Sequence, residues 1–516
     1  MTVSRKHIRL VAFVFWVCMA SWLIRYEAFP EKFESSLGGY EGLISRDVLM
    51  LDSWMRIMFK GSPIGFSHST MGINESDPAL RHVVKNHLTV RMKVMGLEQQ
   101  ILADTDARLD DQYKLQQFAF SMTAKDYNIR IAASRAGKDT FDLTMRTPYT
   151  KRSSTITVPR DVVIYSPMTE MAVKKLRPGQ KLTIRTLDPM SLSTAKITFH
   201  ALRKEPITVG DRTYTATVLS SDYHGGKALS WIDESGIILR QETPFGWTME
   251  KCTMEEAFEA LAESDGAEDM LTGLAVRCDG SIPASRSVKK LRLRLAGVDF
   301  GKHELLSERQ TVEHSGDDET VLSVTADQLP GSESAELHIA DDDREFLRSS
   351  LSIQCDHSDI IAQAERITDG LDDPVSKATA IYNWVNRNVV KEITVSLPSA
   401  LDVLRTMKGD CNEHTYLYVA LARAAGLPAR VTVGLAYQDG AFYYHAWPTV
   451  YVGEWHEMDP TWGQESVDAT HIAIIQGELA SQLELVKVMG RLRIQVLPAK
   501  EESNNGKANR GDKTER

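Results

Sequence analysis

The chain has 516 residues, 42% of them hydrophobic, with a net charge of −10 and a pI near 5.8. At about 150 residues per domain, that length corresponds to about three domains. The apolar content is ample for packed cores, and the acidic balance excludes nucleic-acid binding, which needs a concentrated basic surface.

In chain order, Arg5, Lys6 and Arg9 precede the apolar run Leu10–Ile24. The run is short for a bilayer span of ~20 residues but suits a signal segment. No small-x-small cleavage pattern follows it, only RYEAFPEKFE. Residues 1–27 therefore read as an uncleaved signal anchor. Basic residues before the run and Glu27, Glu31 and Glu34 after it put the N-terminus in the cytoplasm. The bulk of the chain is then expected to be periplasmic or otherwise extracytoplasmic, held to the inner membrane. Of the five cysteines, Cys18 lies in the apolar run. Cys252, Cys278 and Cys355 allow at most one disulfide among them, and spacing does not select it. Cys411 is left as a free thiol.

From residue 45 to 260 the hydrophobic period is two. LTVRMKV sets Leu88, Val90, Met92 and Val94 against Thr89, Arg91 and Lys93, and QFAFSMT, YNIRIAA, FDLTMRT and KLTIRT repeat the theme. This predicts a large antiparallel β-domain with one face buried and one wet. A short helix, TMEEAFEALA, and the acidic linker AESDGAEDM follow. Residues 271–355 carry shorter strands such as KKLRLRLAG and ETVLSVTAD, which predict a small β-sandwich.

At residue 358 the period turns helical. SDIIAQAERIT has Ser358 as N-cap and Ile360, Ile361, Ala364 and Ile367 on one side. In the next helix Asp373 is the N-cap and Pro374 the first helical residue, with Ala378, Ile381, Val385 and Val389 as the stripe. SALDVLRTMKG reads as a helix ending at Gly409, and another begins at Cys411 with Leu417, Leu421 and Ala424 turned to a core. Three strands follow: ARVTVGLAY, AFYYHAWPTVYV and EWHEMDP. This unit spans residues 356–497. Residues 498–516 have almost no apolar content and are expected to be disordered.

A cysteine at a helix start faces unpaired N–H groups and the positive end of the dipole, which favours the thiolate nucleophile. His445 lies mid-strand, on a face where that helix can pack. Asp459 ends the next strand, where it can accept from the second imidazole nitrogen. Cys411, His445 and Asp459 thus form one self-consistent Cys-His-Asp arrangement. Asp410 reads as a cap, Asn412 and His414 as neighbours of the nucleophile, and Trp447, Trp455 and Trp462 as cleft walls or core filling. His456 is assigned no role. A metal site from Cys411, His414 and His445 lacks a fourth ligand, so no metal or other cofactor is expected.

GDCNEHTYLYVALARAAGLPAR, then HAW, then W-x-x-x-DPTWG, resembles the bacterial transglutaminase-like superfamily, with its papain-like thiol-hydrolase fold, over residues 358–475. The upstream β-rich parts resemble regions fused to such cores in exported bacterial proteins. The resemblance implies an α+β architecture: a papain-like transglutaminase core preceded by two β-rich domains and an N-terminal membrane helix. It places nucleophile, base and orienting acid on Cys411, His445 and Asp459. It also implies acyl transfer from peptide or protein amides, including cell-wall peptides, with hydrolysis favoured over crosslinking. Animal transglutaminases carry a Trp after the nucleophile and bind calcium. Here that position is Asn412, and no acidic calcium loop is present. The alternative is a membrane-anchored binding or assembly module in which the β-domains do the work.

Overall fold

The computed structural model describes residues 35–36 and 51–498 apart from short interruptions, the longest at residues 165–175. The expected anchor at Leu10–Ile24 and the tail beyond residue 498 lie outside the described residues. Among the described residues, no helix is long and apolar enough to cross a membrane.

The strands between residues 51 and 252 form one sheet, in which Val162–Ile164 is added in parallel beside Lys181–Leu187 to an antiparallel meander in two arms. One runs from Leu51–Phe59 to Lys151–Thr157, the other from Lys181–Leu187 to Trp247–Cys252. The arms join where Trp247–Cys252 pairs with Leu51–Phe59, from Trp247 opposite Phe59 to Cys252 opposite Trp54. The period-two sequence explains the two faces. In Tyr127–Arg135, Ile129, Ile131 and Ala133 are buried while Asn128, Arg130 and Ala132 are exposed. The helix Met254–Ala262 then begins at a capping box, with Thr253 and Glu256 each bonding the other's backbone.

The separate sandwich expected over residues 271–355 does not form. Strands Val276–Asp279, Lys290–Ala296, Gln310–Ser315 and Glu319–Thr325 join a nine-stranded sheet with Ala429–Gln438, Ala441–Tyr451, Trp455–Glu457, His471–Gln476 and Arg493–Leu497. Val276–Asp279 is the seam: Val276 pairs with Phe442, and Cys278 pairs with Ile494. The joining satisfies strand edges that a lone sandwich would leave bare. It also merges the apolar faces, so that Leu291, Leu293 and Leu295 share one core cluster with Tyr416, Leu417 and Val433.

The helices cover this sheet. Asp373 caps Pro374–Asn388 as expected, accepting from Ser376 N at 2.7 Å. The first helix, Ser358–Thr368, is capped instead by His357, whose Nδ1 accepts from Asp359 N. Ile361, expected on its buried stripe, faces solvent. The third helix stops at Thr406, earlier than expected. Met407 turns left-handed at φ 53°, and Lys408–Gly409 pairs with Val390–Lys391. The helix Cys411–Ala424 is held between the strands Ala429–Gln438 and Ala441–Tyr451 and the other helices, and Glu413 to Ala422 are each at most 5% exposed. A helix apolar nearly all round belongs inside a core. This one carries the nucleophile candidate at its first residue.

Candidate active site

The chain turns into the Cys411 helix through a capping box. Asp410 accepts from Asn412 N at 2.9 Å, and Glu413 Oε2 accepts from Asp410 N at 3.0 Å. Glu413 also accepts from the Ser396 hydroxyl. These bonds fix the first turn, and Cys411 Sγ comes to rest against the backbone amide of Ala446, next to His445.

His445 is fully enclosed in Ala441–Tyr451. Its Nε2 donates to Asp459 Oδ2 at 2.9 Å. Nδ1 is then the nitrogen left for the thiol. Asp459 is held from its own loop: its Oδ1 accepts from Thr461 N at 2.8 Å and Trp462 N at 3.0 Å. The Trp462 ring stacks on His445 with centroids 4.1 Å apart and 17° between planes. This stack shields the His445–Asp459 bond from water. His445 and Asp459 are thus bonded from strand and post-strand loop, and the Cys411 helix packs on the His445 strand, tied to it where the Tyr444 hydroxyl donates to Asn412 Oδ1.

The electrostatics differ from the expectation for a cysteine at a helix start. Burial, followed by the nearby Asp410 charge, pushes the Cys411 thiol well above its ordinary value. The helix terminus favours the thiolate by about 0.3–2 kcal/mol, and the partial burial of Cys411 works against it. Burial also lowers His445, although Asp459 pulls the other way. Both shifts run in the direction of a neutral thiol and a neutral imidazole. Asp459 itself is held far below the usual carboxylate range; burial opposes this, but His445 and His471 outweigh it.

Of the other sequence candidates, Trp447 also stacks on His445, with centroids 5.9 Å apart, and the rest tie the core together. His414 is fully buried and directs Nδ1 to the Asp410 carbonyl at 2.7 Å and Nε2 to the Val389 carbonyl at 3.3 Å, tying the helix to its neighbour. Asn412 Oδ1 accepts from the Tyr444 hydroxyl at 3.0 Å, which links the helix to the His445 strand. Trp447 is core: its indole donates to Glu457 at 2.8 Å, and Glu457 is bound by Arg309. Trp455 packs under Arg430, away from the triad. His456 pairs with Asp327 at 2.7 Å.

Behind Asp459 lie further polar groups that the sequence did not disclose. His471 opens the strand His471–Gln476 and reaches the same Asp459 oxygen at 3.3 Å; its other nitrogen faces Asp468 at 3.4 Å. The available signal was one histidine at the head of the apolar run HIAII, three residues after Asp468. His471 reaches Asp459 because Gly434, opposite His445, lets the strands close. A Cβ on Gly434 would lie 1.9 Å from the Ile472 carbonyl oxygen, and the pairing shifts register at this residue. Among the described residues, His445, Asp459 and His471 are the one group with metal-donor atoms close together. Nε2 of each histidine faces the same Asp459 oxygen, so the three form a hydrogen-bonded chain. The described cysteines Cys252, Cys278, Cys355 and Cys411 are all free thiols.

Residues 361–460 match the family model of the transglutaminase-like superfamily. The kyphoscoliosis peptidase of Homo sapiens is 30% identical over 172 residues, covering 28% of this chain and 26% of that protein. The matched stretch thus spans about a quarter of that relative's length. Among solved structures, the periplasmic domain of TgpA from Pseudomonas aeruginosa is 15% identical with a TM-score of 0.25, over 37% of this chain and 84% of that one. A β-barrel-like protein from Brucella abortus is 7% identical with a TM-score of 0.30, over 40% of this chain and 97% of that one.

Proposed function

We propose that this chain, which carries a transglutaminase-like domain at residues 361–460, is a membrane-anchored thiol enzyme that hydrolyses peptide or protein amides. The single observation that carries the reading is the His445–Asp459 bond of 2.9 Å on the strand against which the helix headed by Cys411 packs. In the proposed cycle the Cys411 thiol attacks the amide carbonyl as its proton passes to His445 Nδ1. His445 returns that proton to the departing amine, leaving a thioester on Cys411. Water then attacks the thioester, giving up its proton to His445, and the acid departs as the thiol is restored. Asp459 holds the imidazole in the tautomer this needs and stabilises the transient imidazolium. The Cys411 backbone N–H serves as an oxyanion donor.

Hydrolysis is favoured over amine transfer because the curated relative is named a peptidase. Anchoring at the inner membrane with the bulk of the chain periplasmic rests on Arg5, Lys6 and Arg9 preceding Leu10–Ile24. Cell-wall peptides are the substrates such a location offers.

The test is iodoacetamide alkylation of Cys411 in the full-length chain across pH, resolved by mass spectrometry, alongside turnover of a peptide-amide library. The reading expects Cys411 to react near neutral pH in a His445-dependent manner, and peptides to be cleaved by wild type but not by Cys411→Ala. Equal alkylation in wild type and His445→Ala would overturn it. Faster transfer to added cadaverine than to water would replace hydrolysis by crosslinking.

A further inference from the structure

Asp459 lies between two imidazoles, and only one has a part in the proposed cycle. His471 is fully enclosed, with Nε2 3.3 Å from Asp459 Oδ2 and Nδ1 3.4 Å from Asp468 Oδ1. Both ring nitrogens therefore face carboxylate oxygens. A neutral ring would point a lone pair at one of them, so this geometry calls for two N–H donors and an imidazolium. Asp468 is itself fixed as an anion. It accepts from Thr470 N at 2.7 Å and Gln464 Nε2 at 2.8 Å, and pairs with Arg286 at 3.1 Å. The Arg286 guanidinium lies 4.0 Å above the ring of Trp462, whose ring stacks on His445. The result is a closed circuit of alternating charge: Asp459, His471, Asp468, Arg286 and, through Trp462, His445 again.

We propose that His471 is a positioning residue whose buried imidazolium shares Asp459 with His445 and thereby holds His445 as the neutral base. The proposal rests on the Cys-His-Asp reading above. Other charged or titratable groups facing this circuit are Cys411, with Asp410 and Glu413 behind it, on the nucleophile helix, Tyr382 and His414 towards Asp459, and Arg309, which donates to the His471 carbonyl at 3.1 Å and is paired with Glu457. Arg286 also faces His445. The two histidines are pushed apart in the sense expected of a divided acid–base pair. Burial lowers His445, while on His471 the two carboxylates overcome burial and raise it.

Removing the His471 charge leaves Asp459 balanced by His445 alone, so His445 must hold its proton more tightly. The ring centroids are 5.7 Å apart. At that range the acid-side inflection of Cys411 alkylation should move up by about one pH unit or more. The experiment measures that inflection in the full-length chain with iodoacetamide, in wild type, His471→Gln, Asp468→Asn and the double variant. Asp468→Asn leaves the His471 ring in place while removing the partner that keeps it charged, and it decides the matter if His471→Gln does not fold. Ile472→Val serves as the packing control.

The expected result is an upward shift in both single variants, no further shift in the double, and none in Ile472→Val. An unmoved inflection in His471→Gln or Asp468→Asn, with His445→Ala still slowing alkylation, would overturn the proposal and leave the triad reading intact. An equal shift in Ile472→Val would also overturn it, because loosened packing alone would then suffice. Alkylation indifferent to His445→Ala would remove both.

Discussion

The meander of residues 51–252 and the sheet behind Cys411 are both largely antiparallel, yet they use polarity in opposite ways. In the meander, charge mostly faces water, as with Arg203 and Glu205 on an exposed face. Its main exception is Glu250, clasped by Arg56 and Arg240. The core instead encloses Glu413, His414, His445, His456, Glu457, Asp459, Asp468 and His471, each at most 5% exposed. Enclosing so many ionisable groups costs stability unless each has partners, and here they are joined into chains. Sheet formation does not require that arrangement. It is where acid–base chemistry can be held away from water, and it separates the region that supports from the region that reacts.

The most severe test of this contrast is chemical. Cys411→Ala or His445→Ala should lower peptide turnover about 10⁴-fold or more. Cys411→Ala should leave the melting temperature close to wild type, whereas His445→Ala also removes a partner of the buried Asp459 and should lower it. Comparable losses from changes on the wet face of the meander would erase the division. Next is Arg309→Met, which strands the Glu457 carboxylate that Arg309 clasps at 2.5 Å, both groups buried. It should destabilise the protein by about 3–5 kcal/mol in denaturant titration. Arg203→Met in the meander should leave the denaturation midpoint unmoved.

Gly434→Ala comes third. The added methyl meets backbone and not a movable side chain. A loss of about 3 kcal/mol is expected, with slowed Cys411 alkylation as the His471 strand is forced outward. Normal alkylation in a folded Gly434→Ala protein would show that the close approach does not position the site.

Acid provides a fourth comparison. Asp459 and Asp468 have depressed folded values. Their stabilisation is therefore complete above the unfolded carboxylate value of about 3.9 and is lost as pH falls below it. His471 has a raised folded value, so its contribution is complete below about 6.5 and fades as pH rises through the folded value. Core stability should thus peak between those limits. Hydrogen exchange should show the core opening before the meander on acidification. The smallest effect is at the cap: Asp410→Ala should cost about 1 kcal/mol.

What the sequence disclosed follows the range of the interactions. Asp373 with Pro374, and Asp410 before Cys411, are signals contained within one turn, and the helices start there. Alternation in YNIRIAA needs only neighbours on one strand. The pairing of Cys278 with Ile494 joins strands more than two hundred residues apart in the chain, so no local pattern announced it, and a separate sandwich was expected in its place. The same distinction applies to the thiol. Its helix terminus was visible in the sequence, but the enclosure that raises it comes from a sheet assembled elsewhere. His471 escaped for the same reason, since its partners Asp459 and Asp468 acquire meaning only once the strand beside Gly434 is in place.

The strand Arg493–Leu497 lies between Lys290–Ala296 and Val276–Asp279, pairing Leu295 with Ile494 on one side and Cys278 with Ile494 on the other. During synthesis, Cys411, His445 and Asp459 emerge from the ribosome before the strand that joins these two parts of their sheet. The meander can finish folding early, from contacts between successive strands. The reactive half is completed differently: a strand made after its triad residues closes the sheet through contacts between segments distant in the chain.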